Sequence, residues 1–314
     1  MHIYHNSTPE APEQRLLAIV GPTAVGKTAL AIALAQQLGG EIVNADSRQV
    51  YRHMTIGTAK PTASEQAAAP HHLYDIVNPD EPFSLAVYQE LATTKIKDIA
   101  ARGGVPLLVG GTGQYAAAVL QGWTVPRVPP QEALRARLEA EAAAHGTGAL
   151  FARLQAVDPQ AATTIQPNNL RRIIRALEVY EATGVPISAQ QGKTPPPYRI
   201  TTLWLTLERT TLFERIDRRV HAMMDAGLLR EVQHLIERGY GWELPAMSSL
   251  GYKEFRPLFN GTATEAECVE RLKFNTHAFA RKQDMWFRRL PNVHQSNAAA
   301  PDVLGHARAA IEAN

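Results

Sequence analysis

The stretch that decides the fold is Leu16-Leu17-Ala18-Ile19-Val20-Gly21-Pro22-Thr23-Ala24-Val25-Gly26-Lys27-Thr28. An apolar run ends at a glycine, a short loop closes on a second glycine followed by lysine and threonine, and a helical pattern then continues to Leu38. The order is strand, glycine loop, helix, and the loop matches the phosphate-binding pattern in full. Glycines let backbone N–H groups converge on phosphate oxygens, and the start of the helix adds positive potential. Gly21, Pro22, Thr23, Ala24, Val25, Gly26, Lys27 and Thr28 are therefore the candidate diphosphate-binding residues. Lys27 contributes a point charge and Thr28 a hydroxyl for a Mg2+ bridging the phosphates.

Outward from this loop, further short apolar runs at 42–43, 105–109 and 201–207 are separated by helical stretches such as 84–102. That alternation predicts an α/β fold, a P-loop NTPase-like core around a parallel sheet. From Trp123 the chain becomes proline-rich (Pro126, Pro129, Pro130), then helical and alanine-rich, until a second link at Pro195-Pro196-Pro197. We expect residues 1–121 to form the first part of the core and 122–199 a helical insertion domain. Residues 200–314 would hold the remainder of the core, with basic C-terminal helices around 212–238 and 265–290 and a weakly structured end.

A chain of 314 residues, 45% hydrophobic and 20% charged, suits one large domain with an insertion, or two domains. The single cysteine, Cys268, excludes a disulfide framework or a clustered cysteine zinc site within one chain and suits a reducing cytosol. No apolar run approaches the roughly 18–20 residues of a membrane span, and the polar opening 1–15 lacks the apolar core of a signal peptide. The expectation is a cytoplasmic monomer with no membrane partner. The net charge of +2 hides an asymmetry: residues 121–200 hold 9 Lys+Arg against 6 Asp+Glu, and residues 271–289 hold 6 against 1. Two basic regions on an otherwise acidic chain point to a polyanion gripped at specific places. His71-His72 has no acidic or cysteine cluster nearby in sequence and reads as structural.

A phosphate loop alone says only that a diphosphate or triphosphate, ATP included, binds. A nucleotidase carries a strand ending in an acidic residue for magnesium and water. Here the strand at 105–109 runs into Gly110-Gly111-Thr112, with no carboxylate, so the loop is read as holding a diphosphate that leaves. The strand at 42–44 runs into Ala45-Asp46-Ser47-Arg48-Gln49-Val50-Tyr51, and strand ends of this kind line the ligand crevice of an open parallel sheet. Asp46 could bind magnesium, take a proton from a nucleophile attacking the diphosphate ester, or simply shape the turn.

Taken together, the phosphate loop, the segment 46–51, Ile56-Gly57-Thr58-Ala59-Lys60-Pro61, Gly110-Gly111-Thr112 with Tyr115, and segment 172–179 resemble the tRNA dimethylallyltransferase family. Thr183-Gly184 with Pro186-Ile187-Ser188, Gly251-Tyr252-Lys253-Glu254 and 276–289 extend the resemblance, in the family's order, over roughly residues 16–290. The resemblance implies transfer of a dimethylallyl group from dimethylallyl diphosphate to the N6 amine of an adenosine beside the anticodon of tRNA. It implies that residues 23–28 bind the prenyl diphosphate, that Asp46 is the general base and that Thr112 contacts the adenosine or the reacting centre. For the tRNA anticodon stem-loop it implies contacts from Asp46, Ser47, Arg48 and Gln49, and from Arg171, Arg172, Ile173, Ile174 and Arg175. It also implies contacts from Ser248, Ser249, Leu250, Gly251, Tyr252 and Lys253, with Arg135 a further candidate. Thr55, Asn169, His277 and the order Arg281-Lys282 depart from the family pattern and bear on tRNA contacts, not on the reaction.

On a wheel of about 100° per residue, Lys282 and Arg289 fall within about 20° of Arg271, with Arg281 and Arg288 alongside. Leu272, Phe279 and Trp286 occupy a separate arc suited to packing. Such a stripe can follow an RNA backbone, which adds Arg281 and Lys282 to the tRNA candidates. Tyr115 and Tyr252 could stack on bases or sit in the core. The competing readings are a small-molecule kinase using ATP, prenylation of a free adenine nucleotide, and a nucleotide-regulated RNA-binding protein; the basic helix favours RNA over free nucleotide.

Overall fold

Leu16, Leu17, Ala18, Ile19 and Val20 are all buried, as expected of a strand covered on both faces. In the computed structural model, which describes residues 14–313, the strands are β1 (Arg15–Val20), β2 (Gly40–Asn44), β3 (His71–His72) and β4 (Val105–Gly110), then β5 (Trp123–Thr124), β6 (Gly192–Lys193), β7 (Arg199–Thr206) and β8 (Val293–Asn297). Residues 1–13, most of the stretch read above as lacking a leader's apolar core, lie outside the described residues. Six strands make one all-parallel sheet in the order β3-β2-β4-β1-β7-β8. Alternation along each strand sends side chains to opposite faces. Leu17, Ile19, Leu107, Val109, Leu203 and Leu205 pack with Leu30 and Leu34 of the helix Lys27–Leu38. Leu16, Ala18, Val43 and Leu108 pack on the other face with Tyr88, Ile96 and Ile99 of the helix Leu85–Ala101.

The chain divides into two compact units, one made of the residues up to Leu120 together with those from Pro196 onward, the other spanning Gln121–Pro195. The insertion expected to end at 199 stops earlier, because Tyr198 packs in the sheet core and Arg199 opens β7. It has its own core, in which Leu138, Leu150, Leu154, Ile173 and Leu177 are buried. The expected weak C-terminal end is corrected: it forms β8 and the helix Val303–Glu312, whose Ala307 and Ile311 join the sheet core. The helical segment expected around 212–238 is formed by two helices, Arg209–Asp225 and Leu228–Glu237, parted at Gly227 with φ 96°. No helix among the described residues is long and apolar enough to cross a membrane.

Candidate active site

β2, β4 and β1 are parallel neighbours, with Asn44 opposite Val109 and Val20 opposite Gly110. The loops leaving their C-terminal ends therefore begin at one level: 21–26, 45–49 and 111–112. In the first, Gly26 takes φ 107°, and no side chain caps the helix Lys27–Leu38 behind it. The first-turn N–H groups of that helix are thus turned toward the loop, a ready site for an anion. The half-buried Lys27 folds back over the loop, its Nζ donating to the carbonyls of Gly21 at 3.0 Å and Pro22 at 2.8 Å. Burial pulls the Lys27 ammonium from the ordinary 10.5 down to about 8, opposed by the negative charge of Asp46 and reinforced by Arg219. Asp46 and Arg219 therefore both act on the Lys27 ammonium.

Asp46 sits in a turn that the fold shapes tightly. Asn44, fully buried, accepts from the Asp46 N–H at 2.9 Å and donates to the Leu73 carbonyl at 3.0 Å. Asp46 Oδ1 accepts from the Arg48 N–H at 2.9 Å, so Oδ2 is the oxygen left for chemistry, on the Gly111 side. Thr112 clasps the two loops: its hydroxyl accepts from the Ser47 N–H at 2.9 Å and donates to Ser47 Oγ at 3.2 Å. Arg48 reaches away to the Pro245 carbonyl at 2.8 Å, and Gln49 donates to the carbonyls of Thr58 and Ala59.

Two contributors were not expected from the sequence. Gln283, buried on the helix Glu265–Phe287, accepts from the Thr23 N–H at 2.9 Å and donates to the Gly111 carbonyl at 2.8 Å. It thereby bridges the phosphate loop to the loop after β4. A Cβ on residue 111 would come within 2.4 Å of Gln283 Nε2, so a side chain there would push the Gln283 amide out of its bridge. Arg219 comes from the helix Arg209–Asp225, where Arg215 also reaches the Val25 carbonyl at 3.5 Å. The only sequence signal was an arginine cluster on a helix following a strand, which does not say what it faces.

The expected RNA-facing residues separate into two groups. Arg171 and Arg172 are exposed, as are Arg281 and Lys282, and Ser248 and Lys253 are also accessible. The others are engaged within the protein. Ile173 and Ile174 are buried in the insertion core. Arg135 and Arg175 bind the fully buried Glu178, at 2.7 Å and 2.6 Å, and Arg175 also donates to the Val128 carbonyl at 3.0 Å. Ser249, Gly251 and Tyr252 are buried, the Tyr252 hydroxyl donating to Glu231 at 2.7 Å, and Leu250 packs against the same cluster. That Glu231 carboxylate also accepts from the N–H groups of Thr55, Ile56 and Gly57. Tyr115 is a core residue too, stacked on Tyr88 at 3.7 Å.

Among the described residues no group of three His, Cys, Asp or Glu side chains could hold a metal unaided. The half-buried Thr28 hydroxyl at the start of its helix and the Asp46 carboxylate are oxygen donors of the kind Mg2+ takes. These residues could hold a Mg2+ only together with oxygens from a ligand or water.

The IPP transferase family model matches residues 49–290, and the isopentenyl transferase model residues 14–74. A tRNA dimethylallyltransferase of Roseiflexus castenholzii is 66% identical over 296 residues, which is 94% of this chain and 97% of that protein. One from Thermomicrobium roseum is 45% identical, over 95% of this chain and 90% of its own length. The crystal structure of the full-length tRNA isopentenylpyrophosphate transferase from Bacillus halodurans is 40% identical, with a TM-score of 0.69 over 96% of this chain and 99% of that one. A eukaryotic dimethylallyltransferase caught acting on tRNA gives a TM-score of 0.79 at 30% identity, over 91% of this chain and 74% of that one. Matched along most of its length by one family model, and nearly end to end by these relatives, the chain belongs to the IPP transferase family, that of the tRNA dimethylallyltransferases.

Proposed function

We propose that this protein transfers a dimethylallyl group from dimethylallyl diphosphate to the N6 amine of an adenosine beside the anticodon of tRNA, as a monomer in the cytoplasm, releasing diphosphate. The observation that carries the reading is the meeting of a phosphate loop, a lysine and a single free carboxylate oxygen at the ends of three adjacent parallel strands.

An adenine amine is a weak nucleophile, because its lone pair is delocalised into the ring. It must be positioned against the allylic carbon and must lose a proton as the N–C bond forms. Asp46 Oδ2 takes that proton, while the hydrogen bond from Arg48 N–H to Oδ1 keeps the carboxylate oriented. The C–O bond to the diphosphate breaks, and its electron pair leaves with the diphosphate. Lys27, Arg219 and the N–H groups of the loop stabilise the departing charge. Mg2+ held by Thr28 and by phosphate oxygens would supply further charge neutralisation to the leaving group. The adenine must leave its stack to reach the carboxylate, which costs least in a loop. Thr112 holds the Asp46 turn against the loop after β4 through Ser47.

The test is incubation of labelled dimethylallyl diphosphate with unmodified tRNA, with AMP and with ATP as separate acceptors. Label in an adenosine of the tRNA alone is expected, and Asp46→Asn should lower that transfer by about 10²- to 10⁴-fold. Hydrolysis of ATP without prenylated RNA, or equal labelling of AMP, would overturn the reading.

A further inference from the structure

The helix Glu265–Phe287 buries Cys268, Val269, Leu272, Ala280, Gln283 and Phe287. Its solvent side carries Arg271, Arg281 and Lys282, all exposed. Among the described residues none of these three pairs with a carboxylate, whereas Arg288 pairs with Asp284 at 3.3 Å and Lys273 with Glu270 at 2.6 Å. Two large apolar side chains stand among the unpaired cations: Phe274 is 63% exposed and Met285 55%. At about 100° per residue, Phe274, Ala278, Arg281, Lys282 and Met285 share an arc about 100° wide. Phe274 therefore presents its ring beside a small residue, with Arg271 about one turn before it and Arg281 and Lys282 about two turns further along. Arg281 is steadied from the side, its guanidinium 5.7 Å from the centre of the Phe213 ring, which in turn stacks on His277 at 4.1 Å.

Chemistry selects the occupant. A protein docking on exposed Phe274 would meet three unpaired positive charges, which an apolar partner must desolvate. A single-stranded nucleic acid supplies what both kinds of side chain lack, a π-face for the ring and phosphates for the cations. The location agrees, because the buried side of this helix touches the phosphate loop and the loop after β4 through Gln283. We propose that Phe274 is a base-stacking residue: an unpaired base of the RNA substrate lies on its ring while Arg271, Arg281 and Lys282 hold the flanking phosphates. This rests on the function proposed above.

The test measures the affinity of the full-length protein for an unmodified anticodon stem-loop RNA across a salt series, for the wild type, Phe274→Ala, Phe274→Trp and Lys282→Gln. Stacking predicts that Phe274→Ala weakens binding about tenfold with an unchanged slope of log Kd against log salt. Phe274→Trp should restore the affinity, whereas Lys282→Gln should lower the slope by about one. Phe274→Ala binding within twofold of wild type would overturn the inference and leave the proposed function standing. So would a tryptophan variant as weak as the alanine one, or a wild-type dimer that Phe274→Ala converts to monomer in sedimentation. Failure of the wild type itself to bind the stem-loop would overturn the inference together with the reading beneath it.

Discussion

Lys27 has a proton whose loss falls within reach of ordinary working pH. Its folded value of about 8 lies below the ordinary 10.5, with burial the chief cause. Without ligand, folding favours the neutral amine, so this group's contribution to stability rises as pH climbs from about 8 toward 10.5. A bound diphosphate favours the ammonium and reverses that preference. Binding should therefore take up a proton at and above pH 8, and affinity for dimethylallyl diphosphate should fall as pH rises further. Calorimetry in buffers of different ionisation enthalpy checks this, and Lys27→Arg should abolish the uptake because a guanidinium keeps its proton. Since Asp46 is what raises Lys27 against burial, Asp46→Asn should move the affinity loss to lower pH; an unmoved profile would show that the two charges do not communicate. These two residues were legible in the sequence because each sits in a loop whose pattern is local. Arg219 was not, since nothing in residues 209–225 says which way that helix faces.

The helix Glu265–Phe287 shows the same limit one level up. Wheel geometry separated a basic stripe from a packing side, but it set Phe279 with the packing residues although that ring is 39% exposed. It was also silent on Gln283, whose partners lie 260 and 172 residues away in the chain. β3 and β8 escaped notice for a related reason. They are the edge strands of the sheet, and His71–His72 and the largely polar Val293–Asn297 carry no period-two apolar pattern. If Gln283 holds the phosphate loop and the loop after β4 in register, Gln283→Ala leaves the Thr23 N–H and the Gly111 carbonyl without their partner. The expected loss of stability is about 1–3 kcal/mol. The single-turnover transfer rate at saturating RNA should fall about tenfold while RNA affinity stays within twofold. Loss of RNA affinity at an unchanged rate would instead make this helix an RNA handle alone.

At the scale of the whole molecule, the insertion carries its own polar anchor. Burial would raise the Glu178 carboxyl, but hydrogen bonds from Arg135, the Gln131 N–H and Arg175 outweigh it and hold the group at about 2. That stabilisation is complete above the ordinary 4.5 and is lost as pH falls toward 2. Amide exchange in residues 121–195 should accelerate across that window, and in Glu178→Gln it should already be faster at neutral pH. Arg135 and Arg175, both offered to RNA by the sequence, organise this anchor, and sequence alone does not separate an arginine that organises a core from one that faces phosphate.

Of the cations the sequence offers to RNA, Arg171 and Arg172 on the insertion and Arg281 and Lys282 on the sheet unit are exposed. A phosphate contact releases counterions, each changing the slope of log K against log salt by about 0.7 on single strands and 0.9 on duplex. If both units hold the same stem-loop, Arg171→Gln with Arg172→Gln should flatten the slope by between about one and two, and Arg281→Gln with Lys282→Gln should do the same. The fourfold variant should lose the sum of the two effects, since independent sites add. A slope untouched by the first pair, with transfer to tRNA intact, would assign the phosphate grip to the sheet unit alone and leave the insertion another task.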